Sequence, residues 1–241
     1  NLPVKRCKKY IVYIRGYEVF GDYMKQIDWT KIDDVIFTND AYIGLAKHLG
    51  MKMPDNRIHW IPNAIDLDLW KFQEGHNKGN KVALLANINH KKGLGLLMQI
   101  LAVLPENYEL HIAGLMQDWR YWTYMCHLAN ENEWGKRMVY QQFLKSAEEI
   151  MDWLKDKDYI ISTSPTEGCP NCILEAMALG IKPVIHNWAG AKRLFPEEFV
   201  FNTIDEAKRI IIEDKYDSMV YRKLIEDKYD VKKIYPQIER G

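Results

Sequence analysis

Two glutamates, Glu167 and Glu175, stand eight positions apart around a turn and the start of a predicted helix. The helix is predicted over Cys172–Leu179, so Glu167 lies in the loop before it and Glu175 lies inside it. Unpaired backbone N–H groups and the positive end of the helix dipole make such an N-terminus an anion site. Because ionised carboxylates only accept hydrogen bonds, the two glutamates indicate a ligand that also offers hydroxyls, such as a nucleotide sugar. The alternative is that Glu175 is an ordinary acidic residue near a helix start.

The segments around this loop follow the order strand, loop, helix and strand. Asp158–Ser162 is rich in β-forming residues and precedes the loop, and Pro183–His186 begins the next strand. Gly180 is expected to end the helix. The first helical residue is open, because either Asn171 is the N-cap or Pro170 takes the first helical position.

This stretch resembles the Glu-x7-Glu signature of retaining glycosyltransferases with two Rossmann-like lobes, the GT-B fold. The family is the family 4-like group 1, which includes sucrose synthases and many mannosyl- and glucosyltransferases. The matching residues are Ser164, Glu167-Gly168, Leu174-Glu175-Ala176-Met177-Ala178, Gly180 and Pro183-Val184. The resemblance implies that Glu167 contacts the transferred sugar and that Glu175 holds the ribose hydroxyls. It also implies that the sugar and diphosphate are lined by the backbone of Gly168, Cys169, Pro170, Asn171 and Cys172.

A second, basic stretch follows a predicted strand and opens a helix. Backbone N–H groups at the helix start and a lysine within reach form a phosphate cradle. The stretch resembles the family's Gly-Arg-Leu-x-x-x-Lys-Gly, with Lys92 and Gly93 in place. Asn87 stands where the family has an arginine that helps to hold the diphosphate, and His90 or Lys91 is the candidate replacement. The alternative for the whole stretch is a solvated basic turn.

Two other segments carry charges where the family has different residues. Arg15 and Glu18 follow the strand predicted over Tyr10–Ile14, and the C-terminal ends of strands are where parallel α/β sheets bind ligands. The resemblance places a histidine at Arg15, so both residues are acceptor-side candidates, with an exposed loop glutamate as the alternative for Glu18. Lys192 and Arg193 stand where the family more often has a glutamate. They either bind phosphate or are solvated charges at the start of a helix.

Alternating strands and helices predict an α/β fold with parallel, doubly wound sheets. The resemblance implies a GT-B-like arrangement, with a complete C-terminal Rossmann-like lobe over residues 81–201 and a partial or reduced N-terminal lobe over residues 1–66. Residues 67–80 are predicted as a linker and residues 202–241 as C-terminal helices. Since the family's N-terminal lobe is normally larger, the sequence predicts a fragment or a reduced lobe.

Other helices are predicted over Asp40–Leu49, Asp205–Lys215 and Ser218–Arg240, the last either continuous or broken. A further helix lies within residues 115–130. Its residues at helical spacing form one apolar stripe, which packs in the core or in an interface. The members of this stripe are Leu115, Trp119, Trp122 and Cys126.

The segment Pro62-Asn63-Ala64-Ile65-Asp66 resembles the Pro-Asn-Gly-Val-Asp segment at the family's lobe junction. Its end, Asp66-Leu67-Asp68, also spells the Asp-x-Asp metal motif of the other major glycosyltransferase fold. The position directly after Pro62-Asn63 favours the junction.

The amino-acid composition excludes some classes of protein. Lys plus Arg and Asp plus Glu are both 33 in 241 residues, so no electrostatic footprint for nucleic acid exists. The apolar share of 47% supports a packed core. No apolar run approaches the length of a transmembrane helix, and no signal peptide is visible. The expected location is the cytoplasm, with peripheral membrane association as an alternative.

The cysteines are Cys7, Cys126, Cys169 and Cys172. Only the last two form a Cys-x-x-Cys pair, and a structural zinc site needs four ligands. A redox motif at a helix start is the alternative. The pattern favours free thiols that line the ligand loop in a reducing compartment, and no metal or cofactor is expected.

The combined prediction is a retaining, metal-independent hexosyltransferase of polysaccharide or glycoconjugate biosynthesis. Glu167 and Lys92 are its catalytic candidates, with Lys92 and helix N-termini stabilising the diphosphate leaving group. The acceptor is a glycan, a lipid-linked sugar or another hydroxyl compound, and missing N-lobe residues or a partner subunit complete the cleft. The alternatives are an inactive nucleotide-sugar-binding module, which Asn87 and Arg15 favour, and a two-lobed sugar-nucleotide epimerase.

Overall fold

The computed structural model describes residues 9–213 and 215–240, and its strands form two parallel sheets. The described strands are β1 (Ile11–Ile14), β2 (Asp34–Phe37), β3 (Ile58–Trp60), β4 (Lys81–Leu85), β5 (Glu109–Ala113), β6 (Met138–Gln141), β7 (Tyr159–Ser162), β8 (Lys182–His186) and β9 (Val200–Phe201). The smaller sheet has the order β1-β2-β3 and the larger sheet the order β6-β5-β4-β7-β8-β9. All strand pairs are parallel. The predicted parallel α/β architecture, with one complete and one reduced sheet, is confirmed.

Helices cover both faces of the larger sheet. The described helices are α1 (Tyr23–Gln26), α2 (Ile43–His48), α3 (Leu94–Val103), α4 (Trp119–Glu131), α5 (Ala147–Leu154), α6 (Asn171–Leu179), α7 (Ala191–Leu194), α8 (Ile204–Ile212), α9 (Ser218–Lys228) and α10 (Val231–Arg240). Ile160 of β7 packs with α6 and α9, while its neighbours Tyr159 and Ile161 pack with α3 and α8. Successive side chains of a strand point to opposite faces, so β7 is apolar throughout. None of the described helices is long and apolar enough to span a bilayer.

The strand order of the larger sheet reverses at its centre, because β5 lies on one side of β4 and β7 lies on the other. In open parallel sheets a crevice forms at the C-terminal ends of the strands on either side of such a reversal. The loops that follow β4 and β7, the two neighbouring strands at this reversal, carry Lys92 and Glu167. The fold therefore brings the two predicted catalytic residues to the same crevice.

The C-terminal end of α6 is fixed by a glycine and a buried arginine. Gly180 has a left-handed conformation with φ of 98° and ends the helix, as predicted. The Arg222 guanidinium group of α9 donates to the carbonyl oxygens of Ala178 at 3.0 Å and Trp70 at 2.7 Å. Since the last carbonyl groups of a helix lack helical partners, Arg222 supplies one and also ties the segment after β3 to α6.

Several predicted boundaries differ from the structure. Both predicted starts of α6 are wrong by one residue, because Asn171 is the first helical residue and Pro170, in an extended conformation, is the N-cap. Of the two alternatives for the predicted 218–240 helix, the broken one is confirmed, with the break at Tyr229 and Asp230. There the carbonyl group of Tyr229 accepts from the Ile65 N–H at 2.7 Å, and the Ile65 carbonyl accepts from the Val231 N–H at 3.0 Å. The break lets α10 pack Ile234 against the smaller sheet.

The apolar stripe predicted within residues 115–130 does not form one helical face packed in the core, and its packing in an interface stays a prediction. The helix begins at Trp119, so Leu115 lies outside it, and these two side chains are 69% and 48% exposed. Trp122 is partly buried against the core. The buried positions of α4 are instead Met125 and Ala129.

Thr203 should contribute to the free energy of unfolding through the capping box of α8. Its hydroxyl accepts from the Glu206 N–H at 3.2 Å, and the Glu206 carboxylate accepts from the Thr203 N–H at 3.3 Å. Thr203→Ala should lower the free energy of unfolding by about 1 kcal/mol, measured by urea denaturation. The control is Thr123→Ala, whose exposed hydroxyl bonds only within its own helix, and it should change stability by less than about 0.5 kcal/mol. Equal losses in the two variants would contradict the capping role.

Candidate functional site

An ion pair joins the two loops at the crevice. The Lys92 ammonium nitrogen lies 2.6 Å from Glu167 Oε1, and the side chains are 28% and 16% exposed. Lys92 ends the short 3-10 turn His90–Lys92 after β4, and Glu167 lies in the loop between β7 and α6. The structure thus places the two sequence-predicted catalytic residues, 75 positions apart, in direct contact.

The local backbone explains why Lys92 is held there. Gly93 has φ of 62°, and a Cβ atom at this position would lie 2.0 Å from the Thr163 carbonyl oxygen. Only glycine therefore allows the turn after β4 to approach the loop after β7 so closely. The Thr163 hydroxyl donates to the Lys92 carbonyl oxygen at 2.8 Å, and Asn89 caps the turn by accepting from the Lys91 N–H at 3.0 Å.

The residues proposed to replace the missing arginine lie on different sides of this turn. Asn87 is exposed. His90 lies 3.8 Å from an Asp118 carboxylate oxygen. Lys91 and Lys92 both line a cavity that lies between this turn and the Glu167 loop, and the Lys91 ammonium group lies 5.7 Å from the centre of the Tyr17 ring. Of the two candidates, Lys91 is the one in the wall of the cavity.

The N-terminus of α6 opens towards the same crevice. No side chain among the described residues caps it, so its first N–H groups remain available to an anion. Asn63 of the segment after β3 holds the preceding loop by donating to the Cys169 carbonyl oxygen at 2.6 Å and to Asn171 Oδ1 at 2.7 Å. The Asp66-Leu67-Asp68 run lies in a turn, in which the Asp68 carboxylate pairs with Lys232 at 2.9 Å.

Glu175 is a carboxyl group without a protein partner. Within the part of the chain that the structure describes, no hydrogen bond or ion pair involves its side chain. Burial raises the pKa of its carboxyl group to about 7. Desolvation disfavours the ionised carboxylate unless a hydrogen-bond donor binds it, so Glu175 is a candidate for contact with a ligand.

The cysteines of the loop are free thiols, as predicted. Burial raises the pKa of Cys169 and of Cys172 to about 12, so neither forms the reactive thiolate of a redox motif. Cys126 is also free and partly buried, while Cys7 lies outside the described residues. Among the residues that the structure describes, no three His, Cys, Asp or Glu side chains are grouped to hold a metal ion.

The smaller sheet meets the Glu167 loop at close range. A Cβ atom on Gly168 would lie 1.8 Å from the Arg15 carbonyl oxygen, so glycine is required at this contact. The cavity beside it has a volume of about 310 Å3 and is lined by Arg15, Tyr17, Lys92, Glu167 and other residues of both lobes. Arg15, an acceptor-side candidate, therefore reaches the site.

Glu18, the other acceptor-side candidate, stabilises its own turn, because its carboxylate accepts from the Arg15 N–H at 2.9 Å.

The two basic residues of α7, Lys192 and Arg193, are paired with carboxylates rather than open to phosphate. Arg193 lies 2.8 Å from Asp40 Oδ1, and Lys192 lies 3.5 Å from Glu197 Oε2.

Asn39 lies beside the site, although its sequence context before a predicted helix indicates only a helix cap. Its side chain is buried, and its Nδ2 donates to the carbonyl oxygens of Glu167 at 3.1 Å and Ala189 at 2.7 Å. Its Oδ1 accepts from the Ala41 N–H at 3.0 Å, so the amide group is fully used. Asn39 thus holds the backbone of Glu167 from the opposite lobe.

The chain belongs to the glycosyl transferases group 1, whose family model matches residues 66–228. No curated protein has a sequence significantly similar to this chain. The fold agrees with the family, since solved structures of glycosyltransferases superpose on both sheets. The predicted family and fold are therefore confirmed.

Three solved structures illustrate the similarity. HepE of Anabaena, in complex with UDP and glucose, has 19% identity and a TM-score of 0.82, with 95% of this chain and 70% of that chain covered. A single-residue mutant of TarM from S. aureus, in complex with Fondaparinux, alpha-GlcNAc-glycerol and UDP, has 14% identity and a TM-score of 0.77, with 96% and 50% covered. Sucrose-phosphate synthase of Thermosynechococcus elongatus has 16% identity and a TM-score of 0.67, with 87% and 57% covered. The chain therefore spans between about half and 70% of these relatives.

Replacing Asn39 by aspartate should destabilise the fold, because the shape is kept while both donated hydrogen bonds are lost. The carboxylate would face two carbonyl oxygens, so we expect the free energy of unfolding to fall by about 1–3 kcal/mol in urea denaturation. Asn187→Asp is the matched control, since its amide group donates to Asn202 on the surface. A loss confined to the control, or equal in both, would show that the contact between Asn39 and the Glu167 loop is weak.

Stability should fall with rising pH through Glu175. The unfolded chain loses this proton near pH 4.5, but the folded chain keeps it until about pH 7, because burial raises the pKa. Its stabilising contribution is fully present below pH 4.5 and is lost as the pH rises through 7. Between about pH 4.5 and 8, the wild type should lose on the order of 3 kcal/mol relative to Glu175→Gln in urea denaturation. Parallel pH profiles of the two proteins would contradict the burial of this carboxyl group.

Proposed function

We propose that the chain is the donor-binding part of a retaining glycosyltransferase. It transfers a hexose from a nucleoside-diphosphate sugar to an acceptor hydroxyl without a bound metal. The observation that carries the proposal is the ion pair of Lys92 and Glu167 beside the uncapped N-terminus of α6. In this arrangement Lys92 and the first N–H groups of α6 contact the diphosphate of the donor, and the Glu167 carboxylate contacts its sugar.

The residues of the proposed site have two tasks. Some stabilise the negative charge of the leaving group, and others accept hydrogen bonds from the hydroxyls of the donor. As the bond between sugar and phosphate breaks, negative charge grows on the diphosphate, where Lys92 and the N–H groups of α6 stabilise it without reorganisation. Lys91, in the wall of the cavity, adds positive potential. Glu167 orients the sugar by accepting from its hydroxyls, and the unpaired Glu175 accepts from the ribose.

The ligands of the similar structures support this assignment. HepE was crystallised with UDP and glucose, and TarM with UDP. These are a nucleoside diphosphate and a hexose, the two classes of group that the proposed site is arranged to hold. The acceptor is a separate hydroxyl compound that enters from the side of Arg15.

One observation favours a second candidate, an inactive nucleotide-sugar-binding module. Asn87 is an exposed amide where the family has an arginine, so the site has one cation fewer at the leaving group. A binding module would keep affinity for the nucleotide sugar but would neither transfer nor hydrolyse it. Turnover of the donor in the presence of a hydroxyl acceptor therefore separates the two candidates.

The two glutamates should differ in how they affect donor affinity. At pH 8, above the raised pKa of Glu175, Glu175→Ala should weaken the binding of UDP by one to two powers of ten, since a hydrogen bond to a charged group contributes about 1.5–3 kcal/mol. Glu167→Ala should not weaken UDP, because it removes no contact to the nucleotide, but it should weaken UDP-glucose and abolish turnover. Calorimetry measures both, with Glu131→Ala, on the exposed end of α4, as the control.

Two outcomes would count against this division of roles. Equal losses of UDP affinity in both glutamate variants would show that Glu167 and Glu175 do not contact different parts of the donor. If none of UDP, GDP, ADP and TDP binds the wild type, the proposed donor site itself is wrong.

Donor binding should not depend on a divalent cation, because the proposal assigns the diphosphate to Lys92 and to backbone N–H groups. The dissociation constant of UDP should agree within about a factor of two in excess chelator and in excess magnesium, a difference of about 0.4 kcal/mol. Calorimetry under the two conditions gives the comparison. Loss of binding in chelator, recovered with magnesium, would contradict a metal-free site.

A further inference from the structure

Beside the reaction cleft lies a second cavity that the proposed donor site does not include. Its volume is about 310 Å3, and it is lined by Tyr17, Phe20, Gly21, Asp22, Tyr23, Gln26 and Lys91. Tyr17, Phe20 and Lys91 also line the first cavity, at Lys92 and Glu167. The two cavities are therefore neighbouring parts of one groove that runs from the reaction cleft along the smaller lobe.

Three aromatic side chains in this groove are exposed to solvent. Tyr17 is 62%, Phe20 54% and Tyr23 42% exposed, and all three lie within a stretch of seven consecutive residues. We call Tyr17, Phe20 and Tyr23 the aromatic platform. Large apolar side chains that are grouped at the surface mark binding sites, so the aromatic platform is a candidate contact surface for a ligand.

The aromatic platform is held in place before any ligand binds. The Tyr17 and Tyr23 hydroxyls are joined by a hydrogen bond of 2.7 Å, and their ring centres are 5.7 Å apart at an angle of 53°. The Phe20 ring packs edge-on against Tyr42 at 5.3 Å. Rings fixed in this way lose little freedom on binding, so a ligand gains most of the contact energy.

The polar residues of the cavity identify the chemistry of the ligand. Asp22, Gln26 and Lys91 stand around the rings and together offer acceptors and donors of hydrogen bonds. A sugar ring has a C–H face that stacks on an aromatic ring and a hydroxyl edge that bonds to such groups. An acyl chain would cover these polar groups without giving them partners, which costs free energy.

We propose that the acceptor is an oligosaccharide, with one sugar ring stacked on the aromatic platform while its terminal sugar places a hydroxyl group in the cleft beside Glu167. The inference rests on the proposed function and names the acceptor class that the function leaves open. It requires an acceptor of at least two sugar units, because Tyr23 lines the second cavity and is not among the residues that line the cavity at Lys92 and Glu167.

A printed array of glycans from one to six sugar units, incubated with the labelled full chain and UDP, tests the inference. At least one series of glycans should bind, with the apparent affinity rising about tenfold or more from one to three units, as expected for an added stacking contact. Tyr23→Ala should lose about this factor for the longer glycans. The control is Tyr124→Ala, which removes a ring of similar exposure, 48%, from α4, and it should bind like the wild type.

The possible outcomes separate this inference from the proposed function. If UDP binds by calorimetry but no glycan on the array is retained, or if Tyr23→Ala binds like Tyr124→Ala, the oligosaccharide acceptor is wrong. Binding to phosphatidylglycerol vesicles in place of glycans, lost in Tyr23→Ala, would assign the aromatic platform to a lipid and also overturn it. If no nucleoside diphosphate binds, the proposed function fails first.

Discussion

The ion pair of Lys92 and Glu167 is the interaction on which the site depends. It joins the loops after β4 and β7, the two strands at which the order of the larger sheet reverses. In a half-buried cleft each charge stabilises the other, because an unpaired ion would lose its hydration without compensation. In the proposed function, a diphosphate in the cleft would offer Lys92 a second anionic partner and would free Glu167 to accept hydrogen bonds from a sugar. The pair is thus charge-balanced and can exchange one partner for another.

The position of this ion pair is set by two backbone contacts that leave no room for a Cβ atom. Gly93 and Gly168 allow two backbone approaches that a Cβ atom would block, the first to Thr163 and the second to Arg15. Asn39 then fixes the Glu167 backbone by hydrogen bonds from the smaller lobe. A loop that is held from both lobes has few alternative conformations, which is the preorganisation that electrostatic catalysis requires.

The parts of the site that depend on local sequence signals could be predicted. The positions of Glu167, Glu175 and Lys92 in the fold were predictable, because a strand precedes each loop, a helix follows it, and Gly180 marks where α6 ends. Their roles in binding and catalysis stay predictions. The contacts of Asn39 were not, since its partner Glu167 is 128 positions away and the pattern around it indicates only a cap. The β9 strand and α7 are too short for a periodic signal. The prediction that Leu115 and Trp119 share one helical face was wrong, because helical spacing alone cannot show that α4 starts at Trp119. The predicted domain limits stay predictions.

A crystal structure of the chain with UDP would show whether the cleft at Lys92 and Glu167 is the donor site. We expect diphosphate oxygens within hydrogen-bonding distance of the Lys92 ammonium nitrogen and of the first N–H groups of α6, with the ribose hydroxyls at the Glu175 carboxylate. In that complex the Lys92 ammonium group would have moved from Glu167 towards the phosphate. UDP bound elsewhere on the larger sheet, or bound at the crevice with Lys92 still paired to Glu167 and Glu175 uncontacted, would contradict the account.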